Sequence, residues 1–73
     1  MKITYDRLAD AAYITFAMEI SKGAVKRTYA CDVTEVNGQI NLDFDDKGVI
    51  LGLEVLDASK RLPAVMPKEA ENI

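Results

Sequence analysis

The chain has 73 residues with no histidine and one cysteine. A domain of this size buries only about 60% of the surface its unfolded chain exposes, so the expected core is small, and Cys31 alone cannot close an internal disulfide to support it. Without imidazole or a set of thiolates, zinc and other transition-metal chemistry is not expected.

The formal charge of −3 is unevenly spread. Residues 1–31 hold five basic groups against three acidic ones, whereas residues 32–73 hold four basic groups against nine acidic ones. Lys26-Arg27 and Lys60-Arg61 are isolated pairs, so the counterion-releasing surface of a nucleic-acid binder is missing, and no DNA or RNA partner is expected. No apolar run approaches the length of a membrane span, and the opening lacks the layout of a signal peptide. The expectation is one domain over residues 1–73 in the cytoplasm, without a membrane partner.

In chain order, "KITYD" alternates, with Ile3 and Tyr5 on one side and Lys2 and Thr4 on the other, as a half-buried strand does. Asp6–Asp10 reads as a broad turn. A helix over the next residues is possible by spacing, but "YITF" consists of β-branched and aromatic residues that suit a pleated surface, so a strand is predicted over Ala12–Ala17. Ser21–Ala24 is a turn by composition, and Val25–Val33 alternates as a third strand. Asn37-Gly38 signals a two-residue type I′ hairpin turn. "QINLDFD" then sets Ile40, Leu42 and Phe44 against Asn41, Asp43 and Asp45, a polar turn follows at Asp46–Gly48, and "VILGLEVL" returns. Asp57 is a candidate N-cap for a short helix ending before Pro63, and Pro67 offers a second helix start.

These elements predict a mainly β fold: an antiparallel meander of four or five strands with a short C-terminal helix or tail. The predicted core is Ile3, Tyr5, Ile14, Phe16, Ile40, Leu42, Phe44, Leu51, Leu53 and Val55.

The stretch "DFDDKGVILGLE" comes close to an EF-hand calcium loop, with Asp43, Asp45, Gly48, Ile50 and Glu54 at loop positions 1, 3, 6, 8 and 12. Position 5 is Lys47, whose ammonium has no lone pair to offer a cation. The flanking "GQINLDF" has the period of a strand, not of an entering helix. A β-hairpin accounts for every residue, so neither a calcium site nor any other metal or cofactor site is expected.

The wording "NLDFDDKGVILGLEVLDASKRLP", joined to the opening "MKITYDRLADAAYITF", resembles the DUF2283 family of small uncharacterised bacterial and archaeal proteins. Tyr5, Asp6, Asp10, Tyr13 and Ile14 match that family's opening Y-D-x-x-x-D-x-x-Y-I, while Met18–Glu35 is generic. One departure, Lys47 where the family tends towards an acidic residue before the glycine, touches only the turn. The resemblance implies a compact antiparallel β fold closed by a C-terminal segment. It carries no catalytic residues, and it implies a link to small partner proteins encoded beside toxin-like proteins.

Three further candidates stand in the chain. Asp6 and Asp10 could form a carboxylate pair for acid/base work, although turn-building by their side chains is the plainer reading. Cys31 could be a nucleophile, but adjacent Asp32 disfavours its thiolate, which makes it a strand cysteine. Gly52 marks a bulge, a close approach of another backbone such as a second subunit, or simple strand curvature.

With no histidine, no phosphate loop and no placed nucleophile-base pair, the expectation is not an enzyme but a protein-binding module. The acidic second half suggests a basic partner in an antitoxin-like role, with affinity from a strand edge or from Leu62, Val65 and Met66. The alternatives are a self-associating homodimer, or a small enzyme using Asp6 and Asp10. Dimerisation is expected because so small a sheet has a face to cover and edges to protect.

Overall fold

The computed structural model describes residues 1–32, 34–35, 38–66 and 70–72. It contains β1 (Lys2–Asp6), β2 (Ala11–Thr15), β3 (Arg27–Ala30), β4 (Ile40–Phe44), β5 (Ile50–Leu56), one helical turn α1 (Ala58–Arg61) and a two-residue β6 (Glu71–Asn72). All the strands join one sheet in the order β3-β4-β5-β2-β1-β6. The first five pair antiparallel, and β6 lies parallel to β1. The fold is thus mainly β and antiparallel with a short C-terminal helix, as the alternation implied.

The strand order departs from a simple meander. β1-β2 and β3-β4-β5 each follow chain order, but β2 pairs with β5, Tyr13 facing Glu54 and Ile14 facing Leu53. The connection 16–26 therefore carries the chain past β5 and β4 before β3 begins, a Greek-key path. The apolar content of the strands explains the choice. β5, with the longest apolar run, takes an interior place, while β3, "RTYA", is exposed throughout and forms an edge.

A second departure concerns the β3–β4 connection. A two-residue turn at Asn37-Gly38 would set Ala30 opposite Asp45, yet Ala30 faces Asn41, and the Cys31 N–H reaches the Ile40 carbonyl at 2.8 Å. The third strand is correspondingly shorter than Val25–Val33. Asp32 explains this: its Oδ1 accepts bonds from the Thr34 N–H and hydroxyl, turning the chain before the Asn-Gly pair is reached. Asn37 and the Pro67 helix start lie outside the described residues.

Residues 43–54 form strand, turn and strand, so the EF-hand arrangement is absent there. The turn is built by Asp45, whose Oδ1 accepts from the Lys47 and Val49 amides, with Gly48 at φ 80°. A bulge follows, since Asp43 faces Gly52 while Phe44 faces Ile50, leaving Leu51 without an opposite residue.

The predicted core needs correction. Among the described residues, Gly52 apart, only Ala12, Val55 and Ala58 are buried, with Tyr5, Leu53 and Leu62 packed around them. Of the ten predicted positions Val55 alone is buried, and Phe16 is 42% exposed. The remainder are half-buried because, among the described residues, the cover packed on that face is the four-residue helix with Leu62, over β2 and β5.

Candidate functional site

The two carboxylates of the first hairpin do separate work. Asp6 Oδ1 accepts from the Leu8 and Ala9 amides and shapes the turn. Asp10, at φ 50°, reaches away from that turn: its Oδ1 accepts from the Tyr5 hydroxyl (2.6 Å) and the Ser59 amide (3.0 Å), and its Oδ2 from the Ser59 hydroxyl (2.7 Å). The Asp10 carbonyl also accepts from the Ala58 N–H. Asp10 is therefore the cap of α1, the place expected for Asp57. Asp57 itself is left-handed and makes no side-chain cap bond.

This environment opposes acid/base use of the pair. The Tyr5 hydroxyl, then the two Ser59 donors, hold the Asp10 carboxyl below its ordinary value, so it stays an ionised acceptor. A general acid at neutral pH needs the opposite shift. Cys31 is half-buried in a shallow depression that also takes in Asp32 and Asp57, with no cation among the described lining residues.

The polar face of the sheet is hydrogen-bonded within itself. Tyr13 on β2 crosses β5 to donate to Asp43 Oδ2 on β4 (2.7 Å), and Thr28 on β3 donates to Asp43 Oδ1 (2.7 Å). Alongside, Asn41 donates to Glu54 (3.0 Å). Burial, then the Asp43 bond and charge, push the Tyr13 phenol well up. Gly52 lies under the Tyr13 ring, where a Cβ would overlap the phenol. Its purpose is thus room for a side chain beside the bulge, not contact with a second backbone. Asp43, Asp45 and Glu54, the would-be calcium ligands, all accept bonds inside the hairpin and its neighbours.

The opposite face is apolar and only half covered. Pairing puts Ile3, Tyr5, Ala12, Ile14, Leu53, Val55, Ile40, Leu42, Phe44, Ile50 and Tyr29 on it. The end carrying Ala12 and Val55 lies under α1 and Leu62. At the other end Tyr29 is 61% exposed and Ile50 37%, and Phe16, whose N–H extends the β2 ladder to the Leu51 carbonyl, continues the alternation onto this face. Beside them an open cleft of about 750 Å³ is lined by Arg27, Tyr29, Phe44 and the turn through Gly48. Of the tail residues named from sequence, Leu62 is spent on the fold, while Val65 stays exposed.

The chain as a whole is also extended for its mass. A compact 8.1 kDa monomer exposes about 4,500 Å²; this chain exposes 5390 Å². Its radius of gyration is 12.3 Å, against about 11 Å for a compact domain of this length. It is a slab 18 Å thick, one sheet with a partial second layer.

The sequence reading missed both the Asp10–Ser59 joint and the open patch at Phe16, Ile50, Phe44 and Tyr29. Strand periodicity identified the apolar face, but it holds no information on how much of that face a helix of unknown placement covers. Asp10 carried a detectable signal, an acidic residue ending a turn, yet its partner is 49 residues away.

No helix among the described residues is long and apolar enough to cross a membrane. Neither a curated protein nor a solved structure matches the chain significantly. A family model described as a protein of unknown function matches residues 2–59, which takes in β1 through β5 and the start of α1. The chain therefore belongs to the DUF2283 family.

Proposed function

We propose that the protein is a protein-binding module, not a catalyst, whose working surface is the open half of the apolar sheet face. The observation that carries this is the exposure of large side chains on that face, Tyr29 at 61%, Phe16 at 42% and Ile50 at 37%. Phe16, Phe44, Ile50 and Tyr29 supply the large apolar and aromatic groups that binding surfaces favour. The engaged state of Asp6 and Asp10 supports binding over catalysis.

A basic partner in an antitoxin-like role draws on the carboxylate surplus of residues 32–73. Four of those nine groups, Asp32, Asp43, Asp45 and Glu54, are held as acceptors within the fold. The apolar face is thus the better-supported contact, with charge left to influence encounter.

The test is photo-crosslinking in host cells from a benzophenone amino acid at position 29 or 44, with position 41, on the polar face and outside the cleft, as control. Adducts of defined mass are expected from 29 and 44, and these should vanish from position 29 when Phe44→Asp is added. Absence of adducts from the apolar face, or equal yield from position 41, overturns the reading.

A further inference from the structure

We infer that the occupant of the open apolar face is a second copy of this chain, stacked face to face about a two-fold axis that runs along the strands between β4 and β5. This rests on the binding-module reading and names its partner.

The uncovered layer matches what a second sheet supplies in a sandwich, where two apolar faces stack about 10 Å apart with strands nearly aligned. A two-fold contact must also be self-complementary: what projects on one side of the axis has to find a recess on the other. The face has that form. Phe16, 42% exposed, projects at the β2 side, and the cleft beside Tyr29 and Phe44 opens at the β3 side. β2 and β3 are separated by β5 and β4, so projection and recess lie about 14 Å apart at the usual strand spacing. Rotation about an axis midway between them, between Ile50 and Phe44, seats each Phe16 in the other chain's cleft. The cleft that receives Phe16 is lined by Arg27, Asp45, Asp46 and Lys47 beside Tyr29 and Phe44, two charges of each sign, so the Arg27 and Lys47 stems can pack on the ring while the charges offset one another. Next to the axis the facing pairs Leu42–Leu53 and Phe44–Ile50 are apolar, so no charge lies at the centre of the contact.

The tests use the full chain. Sedimentation across the micromolar range is expected to give twice the 8.1 kDa chain mass, and Phe44→Asp is expected to give a monomer with an unchanged far-ultraviolet spectrum. Phe16→Ala and Tyr29→Ala should each weaken the dimer about tenfold. Because the two side chains meet only across the interface, the double variant should weaken it by far less than the product of the singles. A cross-link reads the axis directly. In a Cys31→Ser background, Phe16→Cys mixed with Tyr29→Cys should form a disulfide heterodimer that neither variant forms alone. A cross-link equally strong in either single variant, or none in the mixture, overturns the inference, and so does independence of Phe16 and Tyr29. A chain that stays monomeric yet gives Phe44-dependent adducts with a different host protein overturns the second-copy occupant while leaving the binding reading intact. A monomer with no such adducts removes both.

Discussion

Asp10 and Ser59, 49 residues apart, are joined by two hydrogen bonds, one from the Ser59 amide to Oδ1 and one from its hydroxyl to Oδ2. A four-residue helix cannot persist unaided, because nucleation is unfavourable and isolated short helices are marginal. α1 exists where it does because a residue of the first hairpin supplies the acceptor for its first turn. That joint lays Ala58 over Ala12 and Val55 and so decides which half of the apolar face is covered.

The first prediction ranks replacements at Asp10. Its φ of 50° favours Asn or Gly over other residues. Asn keeps one acceptor oxygen and tolerates the backbone. Gly tolerates the backbone but accepts nothing, and Ala fails on both counts. Thermal midpoints should therefore fall in the order Asp, Asn, Gly, Ala, by several degrees between the ends. An Ala variant as stable as the parent would show that α1 is held by packing alone.

Acid stability should report the same joint. The folded Asp10 carboxyl lies below its ordinary 3.8, through the Tyr5 hydroxyl first and the Ser59 donors next. A carboxyl depressed in the folded state contributes stability that is fully present above the unfolded value and is lost as pH falls through the folded one. The parent should thus lose thermal midpoint more steeply than Asp10→Asn below pH 3.8, and the two curves should approach one another at the acid end. The alkaline limb has the opposite sign. Tyr13 is raised above 10.0 by burial and then by Asp43, so its contribution is complete below that pH and fades above it. Tyr13→Phe should remove that component, as followed by thermal melts with phenolate absorbance.

Period-2 alternation made β1, β3, β4 and the apolar face legible, because side-chain direction in a strand depends only on neighbours in sequence, while β-branched and aromatic residues marked β2. Strand order was not legible. That β2 lies beside β5 follows from a competition among strands for an interior place, and the local signal at Asn37-Gly38 was overridden by Asp32 closing its own turn five residues earlier. The core was misjudged for a related reason: Ala12 and Ala58, small residues with weak hydrophobic signals, are buried because they are where the helix touches the sheet. The candidate site was legible as a face but not as an opening in its cover.

Calcium should leave the thermal midpoint unchanged. Both Asp43 oxygens, Asp45 Oδ1 and Glu54 Oε1 already accept bonds, and cation binding would have to break them within a hairpin that keeps these groups on strands and a turn. The measurement discriminates well. A ligand at a thousandfold excess over its dissociation constant stabilises by about 4 kcal/mol, which is well over 10 °C at about 4–8 °C per kcal/mol for a domain of this size. A saturable rise on that scale would mean the hairpin rearranges around an ion.

Gly52 and Tyr13 give the sharpest prediction, because it reverses sign. Gly52 is not at positive φ, so its backbone would accept a side chain. What forbids one is the Tyr13 ring, which lies over Gly52 on its way to Asp43. Gly52→Ala should destabilise by about 1–3 kcal/mol, the usual range for overpacking, as the ring is driven off Asp43. Tyr13→Ala removes the ring, and in that background the same Gly52→Ala should be neutral or stabilising by about 0.5 kcal/mol, since alanine is the better strand residue when space is free. Urea melts of the four proteins in a double-mutant cycle give the coupling. Additive effects would mean that the ring and the glycine are independent. Glycine at position 52 would then need another explanation, such as a demand of the neighbouring bulge at Leu51.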